Sequence, residues 1–346
     1  MVMIDWLGLL VFYPHVGTIS AGAVMSYDAE GVQEWNTPKR VMVEGSHSTA
    51  ISVRSSPMFP ETMIEISGNP VKFMQGHNIF GTSDIKALAH AFIEQALTHV
   101  GLPVTDAHRA LWDAAYVQRV DITASYDLGN QERVLSAIRS LEHTATLANR
   151  GRGSLVGAST LTYGKGSSRW WLKFYSKGAE LQAKGHRLPN SLYSHIERLQ
   201  TYASGLLRCE IQFKRRELEP RSLHQLCNWQ DDTPRLLFAE YMGRLNIAAV
   251  TMIDDDKLQA MPMRLRGAYE LWRSGVDLRD KKAIRTFYRL RKELLEHGVD
   301  IVAAPPVREK SNVIPMPIVL HARMVTEIPD WARGTPLYYE PPRRIA

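Results

Sequence analysis

Three segments near the middle of the chain alternate strictly between apolar and polar residues. They cover residues 118–128, 169–178 and 206–214. A period of two along the chain predicts β-strands that bury one face and leave the other open. In the first segment, for example, Ile122 falls on the apolar face and Asp121 on the polar face. We therefore expect three strands that can pair in one antiparallel sheet.

The polar faces of these segments carry acids, bases and hydroxyls together. They comprise Arg119, Asp121, Thr123, Ser125 and Asp127 in the first segment, Trp171, Lys173, Tyr175 and Lys177 in the second, and Arg208, Glu210, Gln212 and Lys214 in the third. Carboxylates are ligands that Mg²⁺ and Mn²⁺ prefer, and neighbouring Lys and Arg side chains suit a DNA phosphate. The pattern therefore predicts a platform that holds a divalent cation and a phosphate together. The alternative is a solvated face with surface salt bridges.

Helical periodicity appears on both sides of the first strand. Apolar residues recur at helical spacing over 84–100 and 130–149, so two helices are expected to cover the apolar side of the sheet. A third helix is expected over 190–206, with Tyr193 at the margin of its apolar stripe. Before residue 80, short apolar runs broken by Gly, Pro, Asn and Ser indicate several strands and loops. The predicted fold class is α+β, an antiparallel sheet with helices on one face.

A domain boundary is predicted after residue 220. Pro220 opens a polar stretch over 220–234, beyond which the chain becomes helical. The chain thus divides into a first domain of residues 1–220 and a mainly helical, basic second domain of residues 235–346. Helices of the second domain are expected over 235–247, 262–274 and 281–297.

The last of these predicted helices is basic on its outward face. It carries Arg285, Arg289 and Lys292 there, with Ile284 and Phe287 turned inward. Two short helices separated by a Gly-containing turn, with basic residues on the second, resemble a helix-turn-helix that enters a DNA groove. A solvated basic face is the alternative.

The composition favours a polyanionic partner and argues against several other classes. Lys and Arg number 42 against 36 Asp and Glu, which gives a net charge of +6 and a pI of about 9.2. The two cysteines, Cys209 and Cys227, form no CxxC pair, so zinc fingers and disulfide frameworks are unsupported. The apolar run Leu7–Tyr13 is too short for a membrane span and suits a buried strand. We expect a nucleic-acid partner, no membrane, and a reducing cytosol.

The stretch Met74–Ile85, MQGHNIFGTSDI, resembles the gene II replication proteins of filamentous phages, which carry a closely similar QGHN-x-FGT-x-D run. Other stretches match the pattern of that family in the same order, and together they extend from residue 3 to about residue 338. They are MIDWL, QRVDIT, LKFYSKGAELQ, YASGLLRCEI, and SNVIP followed by PDW.

The resemblance implies a rolling-circle replication initiator with a nuclease domain and a C-terminal domain like the gene X product. Such a protein nicks the plus strand at the double-stranded phage origin and becomes linked to the 5′ end through a phosphotyrosine. Later it cuts the displaced strand and rejoins it into a circle. The alternatives are a plasmid or prophage initiator of the same chemistry, and a non-catalytic origin-binding regulator.

The resemblance also implies cofactors, partners and a location. The expected cofactor is Mg²⁺ or Mn²⁺, and the expected partners are double-stranded origin DNA, displaced single-stranded DNA, and the helicase and polymerase of the host. The expected location is the cytoplasm of the bacterial host, with a homo-oligomer as the possible form at the origin.

For the metal ligands, the sequence departs from the wider class of rolling-circle nucleases. That class uses a His-hydrophobe-His motif, and this chain contains no such triplet. Asp121 and Glu210 are the best replacements, because both lie centrally on polar strand faces within segments that match the family. His77, inside the QGHN run, is a candidate third ligand; equally, it could orient a turn by hydrogen bonding.

For the nucleophile, the resemblance points to a tyrosine between the Lys-x-Tyr strand and the ASGL run. This interval offers Tyr193 and Tyr202. Relatives carry another aromatic residue where Tyr202 falls, which indicates core packing, so Tyr193 is the predicted nucleophile. Tyr175, on the charged face itself, is the outside candidate.

The predicted site is completed by cations and one aromatic side chain. Lys177, Lys173 and Arg208 are the expected phosphate-side cations, and a nearby lysine such as Lys177 also favours the tyrosinate. Trp170 belongs to the apolar face, so only Trp171 is open for base stacking.

Overall fold

The structure is a computed structural model that describes most of the chain. It covers residues 1–45, 47, 49–183, 185–247, 255–274, 276, 278–297, 299, 301 and 324–342. The strands, in chain order, are β1 (Val2–Phe12), β2 (Ala23–Tyr27), β3 (Gln33–Pro38), β4 (Val41–Glu44), β5 (Ala50–Ser55), β6 (Met63–Gly68), β7 (Tyr116–Asp127), β8 (Ala145–Leu147), β9 (Gly151–Arg152), β10 (Ser154–Val156), β11 (Thr160–Tyr163), β12 (Trp170–Ser176), β13 (Leu206–Lys214) and β14 (Leu245–Ile247).

The helices alternate with these strands and then dominate the C-terminal part. They are α1 (Pro70–Gln75), α2 (Ile85–His99), α3 (Asp106–Arg109), α4 (Gln131–Thr144), α5 (Lys177–Gln182), α6 (Ile196–Ser204), α7 (Arg215–Leu218), α8 (Thr233–Met242), α9 (Asp255–Ala260), α10 (Met263–Arg273), α11 (Leu278–Lys281) and α12 (Ile284–Leu295). In the part of the chain that is described, no helix is long and apolar enough to cross a membrane.

One large antiparallel sheet organises the first two thirds of the chain. Its strand order is β10-β11-β12-β13-β7-β1-β6-β5-β4, and two small sheets, β14-β8-β9 and β2-β3, accompany it. The three alternating segments of the sequence are β7, β12 and β13, and they are neighbours with β13 in the middle. The predicted pairing is therefore confirmed, and so is the α+β class.

The apolar face of the sheet is covered by helices. Buried residues of α2, α4 and α8 belong to one core cluster with the apolar residues of β1, β7, β12 and β13. The helix α4 begins where the Asn130 side chain accepts a hydrogen bond from the Arg133 backbone N–H, a common N-cap. It ends at Thr144 because Ala145 takes an extended conformation and enters β8. The prediction of a helix through residue 149 was therefore too long.

Two other predicted segments differ in the structure: the strand predicted over 169–178 is shorter, and the helix predicted over 190–206 is divided in two. The strand predicted through residue 178 ends at Ser176, whose hydroxyl accepts a hydrogen bond from Ala179 N–H and starts α5. A side chain at Gly178 would lie 2.8 Å from the backbone of Ser204, so this turn of α5 lies directly against α6. The helix predicted over 190–206 is a 3₁₀ helix, Asn190–His195, followed by α6.

The polar face of the sheet is less open than the alternation predicted. Arg208 in β13 is completely buried, and its guanidinium donates hydrogen bonds to the backbone carbonyls of Asn78 and Ile79 and to the Ser125 hydroxyl (3.2 Å). Residues 76–84, between α1 and α2, contain most of the QGHN run and are called the QGHN loop. These bonds hold the QGHN loop against β13 and β7. The expectation that Arg208 faces a DNA phosphate is therefore wrong for this structure, because protein carbonyls already occupy its donors.

The C-terminal helices have a core of their own. Its buried members include Leu265, Tyr269, Trp272, Phe287 and Leu290. The expected inward position of Ile284 is wrong: its side chain is 71% exposed, because it is the first residue of α12 and precedes the packed turns.

The last described residues, 324–342, return to the large sheet. Val325 N–H donates to Ser125 O (2.9 Å), and Tyr339 N–H donates to the Gln75 side chain (2.8 Å). Ile328, Ala332 and Leu337 are buried in a cluster with the QGHN loop, α5 and α6. The division into residues 1–220 and 235–346 stays a prediction, but the end of the second unit packs on the first.

The burial of Arg208 makes a prediction about stability. Arg208→Met keeps most of the side-chain volume but leaves buried carbonyls without donors, and charge-assisted hydrogen bonds of this kind contribute about 1.5–3 kcal/mol each. We expect the free energy of unfolding in urea to fall by roughly 3 kcal/mol or more. The matched control is Arg235→Met at an exposed position of α8, which should change stability by less than about 0.5 kcal/mol. An Arg208→Met protein of unchanged stability that fails to bind DNA would instead assign Arg208 to the DNA contact.

Candidate functional site

A charged cleft of about 250 Å³ lies on the polar face of the sheet, where β1, β7, β12 and β13 meet α1 and α5. Its acidic members are Asp5, Asp121, Glu180 and Glu210, and its basic members are Lys72, Arg119, Lys173, Lys177 and His186. The cleft thus combines four predicted site residues, Asp121, Glu210, Lys173 and Lys177, with others that the sequence reasoning missed.

The strand register brings the carboxylates together. In the β7–β13 pair, Asp121 lies opposite Gln212 and Glu210 lies opposite Thr123, so the two acids are diagonal neighbours on one face. The β1–β7 pair skips a residue between Ile4 and Trp6, and Asp5 is the extra residue of this bulge. A bulge re-aims a side chain, and here Asp5 turns toward the cleft although it lies within a buried strand.

Each of these acids has defined partners. Asp5 Oδ1 accepts hydrogen bonds from the side-chain amides of Asn69 (2.8 Å) and Asn78 (2.7 Å). Asp121 accepts from Arg119 Nε at 2.8 Å, and Glu210 pairs with Lys173 Nζ at 2.8 Å. These partners fix the carboxylates at the floor of the cleft.

Two of these carboxyl groups, Glu210 and Asp121, nevertheless resist ionisation. Burial raises the pKa of Glu210 to about 8; Lys173 opposes the rise, and the nearby Asp121 and Asp5 add to it. Burial raises the pKa of Asp121 as well, against the pull of Arg119. Acids that raise each other's pKa in one cleft are typical of functional sites, because a bound cation relieves their repulsion.

A second network occupies the α5 side of the cleft. Lys177 is buried and donates to Asn78 Oδ1 (2.7 Å) and to Glu180 Oε2 (2.5 Å). Burial lowers the pKa of Lys177, although the Glu180 charge opposes this. Burial acts to raise the pKa of Glu180, but Lys177 and a hydrogen bond from His186 hold it below the usual range. The predicted catalytic lysine is therefore fixed beside the acids rather than mobile.

The three candidate tyrosines lie in different environments. Tyr175 lines the cleft with its hydroxyl 3.4 Å from Glu210 Oε2, but burial raises its pKa far above the ordinary value. Tyr202 is half-buried and packs edge-on against Phe80 and Trp331, as predicted for a packing residue. Tyr193 is 83% exposed and lies outside the cleft.

The turn that carries Tyr193 is nevertheless tied to the cleft. Leu192 packs against Gly76, which has a φ of +81° and where an added Cβ would lie 3.0 Å from Leu192 and 2.9 Å from the His47 ring. Gly76 ends α1, and α1 supplies Lys72 to the cleft. A glycine is needed at this close approach, which places the exposed tyrosine beside α1.

The structure does not bring His77 to the acids. Its ring is buried outside the cleft, where Nδ1 accepts from Ile79 N–H (3.3 Å). Burial lowers the pKa of His77 to about 3, and Lys177 adds to the effect. This environment favours the turn-orienting interpretation over the ligand interpretation.

The remaining candidates lie where the sequence suggested. Trp171 is on the polar face, with its indole N–H donating to Gln212 at 2.6 Å and Lys173 Nζ 5.8 Å from the ring centre. Arg285, Arg289 and Lys292 lie on α12 with their side chains at least partly exposed. Both groups can reach a ligand in solvent.

Asp5, Asn69 and Asn78, like Lys72, Glu180 and His186, are cleft residues that the sequence did not identify as site members. An acid within an otherwise apolar strand was the available signal for Asp5, and it falls inside the MIDWL motif. Among the described residues there is no preformed group of three His, Cys, Asp or Glu side chains that could hold a metal ion. In this arrangement Arg119 and Lys173 neutralise Asp121 and Glu210.

A sheet face that combines clustered carboxylates with fixed lysines, in a basic α+β protein, is typical of proteins that act on nucleic-acid phosphates. Sequence profiles identify the family. The profile for the N-terminal part of the phage replication-associated protein, the gene II protein, matches residues 3–232, and the profile for its C-terminal part matches residues 256–339. The chain belongs to this replication-associated protein family, so the resemblance and the predicted role in DNA replication are confirmed.

Individual relatives agree over most of their length. The replication-associated protein of Enterobacteria phage I2-2 is 33% identical over 328 residues, which cover 93% of this chain and 94% of that protein. The protein of the same name from Salmonella phage IKe is 24% identical over 331 residues, covering 78% and 75%. That of Enterobacteria phage fd is 24% identical over 336 residues, covering 82% and 78%.

Among solved structures, the rolling circle replication initiator protein from Geobacillus stearothermophilus overlaps 74% of this chain and 89% of its own. The identity is 12% and the TM-score 0.32. A superposition this loose carries no argument about the site.

The raised pKa of Glu210 predicts how stability depends on pH. Between the unfolded value of 4.5 and the folded value of about 8, the folded protein holds a proton that the unfolded chain releases. The free energy of unfolding, measured in urea with EDTA, should therefore fall as pH rises through this range. Glu210→Gln should remove this part of the slope, whereas Glu132→Gln on the surface of α4 should retain it. Equal slopes for Glu210→Gln and wild type would contradict the assignment.

Proposed function

We propose that this protein initiates rolling-circle replication by nicking one strand of its origin and holding the 5′ end on Tyr193. The observation that carries the proposal is the cleft, in which Asp5, Asp121 and Glu210 lie beside Lys173 and Lys177 on one rigid sheet face. Membership of the replication-associated family supports it. Later cutting of the displaced strand would repeat this chemistry, and rejoining would reverse it, with a 3′ hydroxyl attacking the phosphotyrosine and the tyrosine oxygen leaving.

The chemistry is a transesterification at phosphorus. The Tyr193 hydroxyl loses its proton and its oxygen attacks the phosphate, while the bond from phosphorus to the 3′ oxygen breaks and that oxygen gains a proton. One phosphate ester replaces another, so the joining step needs no ATP. An exposed hydroxyl suits this role, since it makes no hydrogen bond with any residue that the structure describes and can reach a DNA strand.

The acids of the cleft fit a hard divalent cation such as Mg²⁺ or Mn²⁺. Asp5 offers Oδ2, which accepts no hydrogen bond from a described residue, and Asp121 and Glu210 offer oxygens once the ion competes with Arg119 and Lys173. When bound, such an ion would polarise the scissile phosphate and offset its charge. We assign Asp5 the ligand position that was predicted for His77.

The lysines of the cleft would act on the phosphate itself. The Lys173 side chain is partly exposed to solvent. Burial acts to lower its pKa, but the attraction of Glu210 prevails and the pKa is raised. It would bind a phosphate oxygen when an ion takes over Glu210. Lys177 is held by Asn78 and Glu180, so we give it an electrostatic role at a fixed position.

The remaining contacts concern DNA outside the cleft. Arg285, Arg289 and Lys292 on α12 would bind phosphates of the double-stranded origin, and Trp171 would stack on a base. The displaced single strand, the helicase and polymerase of the host, and a homo-oligomer at the origin remain part of the proposal, as does the host cytoplasm as the location.

Covalent capture tests the nucleophile. The protein is incubated with supercoiled DNA that carries its own origin and Mg²⁺, then denatured and examined for DNA-linked protein. Wild type, Tyr202→Phe and Tyr175→Phe should give the linked band, and Tyr193→Phe should reduce it to background, because only that substitution removes the attacking oxygen. A band from Tyr193→Phe would assign the link to another residue. A wild type that binds the origin yet gives no band would favour a regulator without catalysis.

Mn²⁺ binding tests the metal site independently of nicking. Asp5→Asn, Asp121→Asn and Glu210→Gln should each weaken Mn²⁺ binding, measured by electron paramagnetic resonance, by about tenfold or more. The same variants should abolish nicking while origin binding persists, because phosphate contacts dominate affinity. The affinity of the wild-type protein for Mn²⁺ should increase as pH rises toward 8, because Glu210 must lose its proton before it can bind the ion. Unchanged Mn²⁺ affinity in all three variants would remove the metal from this cleft.

A further inference from the structure

An open groove of about 470 Å³ lies along α6, separate from the charged cleft. It is lined by Ser194, Glu197, Arg198, Thr201, Tyr202 and Trp331. The groove begins one residue after Tyr193, so it adjoins the proposed nucleophile along the chain. Its far wall comes from Trp331 of the PDW motif, which the proposed function has not used.

The groove face of α6 is separate from its packing face. Glu197 and Thr201 of α6, with Ser194 just before it, recur every three or four residues and are all exposed. Leu199 and Ala203, by contrast, are buried on the other side of the helix. The exposed polar residues of the groove therefore take no part in the core, whereas Tyr202 and Trp331 connect the groove to it.

Trp331 is held rigidly at this groove. Its ring packs edge-on against Phe80 (5.9 Å between centres) and against Tyr202 (5.9 Å). Phe80 and Tyr202 contact each other as well, at 6.3 Å. The three rings form an aromatic support that belongs to the QGHN loop, α6 and the returning C-terminal segment.

Arg198 is oriented by that support. Its guanidinium carbon lies 4.6 Å from the centre of the Trp331 ring. In the part of the chain that the structure describes, Arg198 makes no ion pair with an acidic side chain, whereas Arg333 nearby is paired with Glu327 at 3.0 Å. A guanidinium that is stacked but not paired keeps its N–H donors for a ligand with negatively charged oxygens.

We propose that Arg198 and Trp331 bind unpaired DNA beside the bond that is cut: the guanidinium, stacked on the Trp331 ring, donates to a backbone phosphate, and one base stacks against the layer that these two side chains form. This inference rests on the proposed function for the position of the cut. Single-stranded DNA fits because aromatic side chains stack on the faces of unpaired bases, which neighbouring pairs cover in a duplex. The charge of Arg198 complements the phosphate, while Glu197 limits how many phosphates the groove attracts.

Binding of a labelled oligo(dT) of about 16 nucleotides to the full-length protein tests this groove without any cutting. Arg198→Ala should weaken binding on the order of tenfold, as expected for loss of one phosphate and stacking contact. Arg198→Lys and Trp331→Phe should each give an intermediate loss. Arg235→Ala, an equal loss of charge on α8, should stay within about twofold of wild type. Melting temperatures equal to wild type confirm that the variants are folded.

Photo-crosslinking locates the contact. Oligo(dT) with single 5-iododeoxyuridine substitutions should crosslink to the peptide that contains Trp331 or Tyr202, and Arg198→Ala should reduce this product. Folded Arg198→Ala and Trp331→Phe proteins with wild-type affinity, or crosslinks confined to other peptides, would overturn the inference even if the Tyr193 link forms normally. Loss of binding in these variants would support the groove even if the protein gives no covalent link to origin DNA.

Discussion

The site depends on one buried guanidinium. Arg208 lies on β13, between β12 and β7, and donates to the carbonyls of Asn78 and Ile79, which fixes the QGHN loop across β13 and β7. Asn78 then serves both halves of the cleft, because its amide N–H donates to Asp5 and its amide oxygen accepts from Lys177. Without Arg208, Asn78 would not be held in the position from which it bonds to both Asp5 and Lys177. The residue expected to bind DNA therefore organises the groups that would do so.

The cleft is held close to electrical balance. Buried carboxylates that repel one another are paired with lysine and arginine side chains on neighbouring strand positions, so neither charge accumulates on this face of the sheet. Burial raises the pKa of Glu210 and lowers that of Lys177, and their partners Lys173 and Glu180 oppose these two shifts. An incoming cation would replace Lys173 as the partner of Glu210, and an incoming phosphate would replace Glu210 as the partner of Lys173, which lowers the electrostatic cost of admitting both.

The alternation of apolar and polar residues along the sequence was sufficient to predict the regular strands of the sheet and the faces of their side chains. The alternation of β7, β12 and β13 identified their faces and hence Asp121, Glu210 and Lys173, because side-chain direction in a strand follows position. It could not place Asp5, since a bulge breaks that rule at one residue. Nor could it show that Arg208 is covered, because burial there comes from a loop 130 residues away in the chain. The end of α4 was missed for a similar reason: Ala145 suits a helix, but pairing with β14 prevails.

The packing of residues 324–342 on the large sheet determines when folding can be completed during synthesis of the chain. A ribosome releases the chain from its N-terminus, so β1 and β7 can pair long before the segment that carries Trp331 exists. That segment adds Val325 beside β7, a bond to Gln75 and the last members of the cluster around Phe80. The unit built on the large sheet is therefore completed only after residues 324–342 have been made. If the α6 groove binds single-stranded DNA as proposed, that binding would require the segment that carries Trp331 and could not begin on a nascent chain that lacks it.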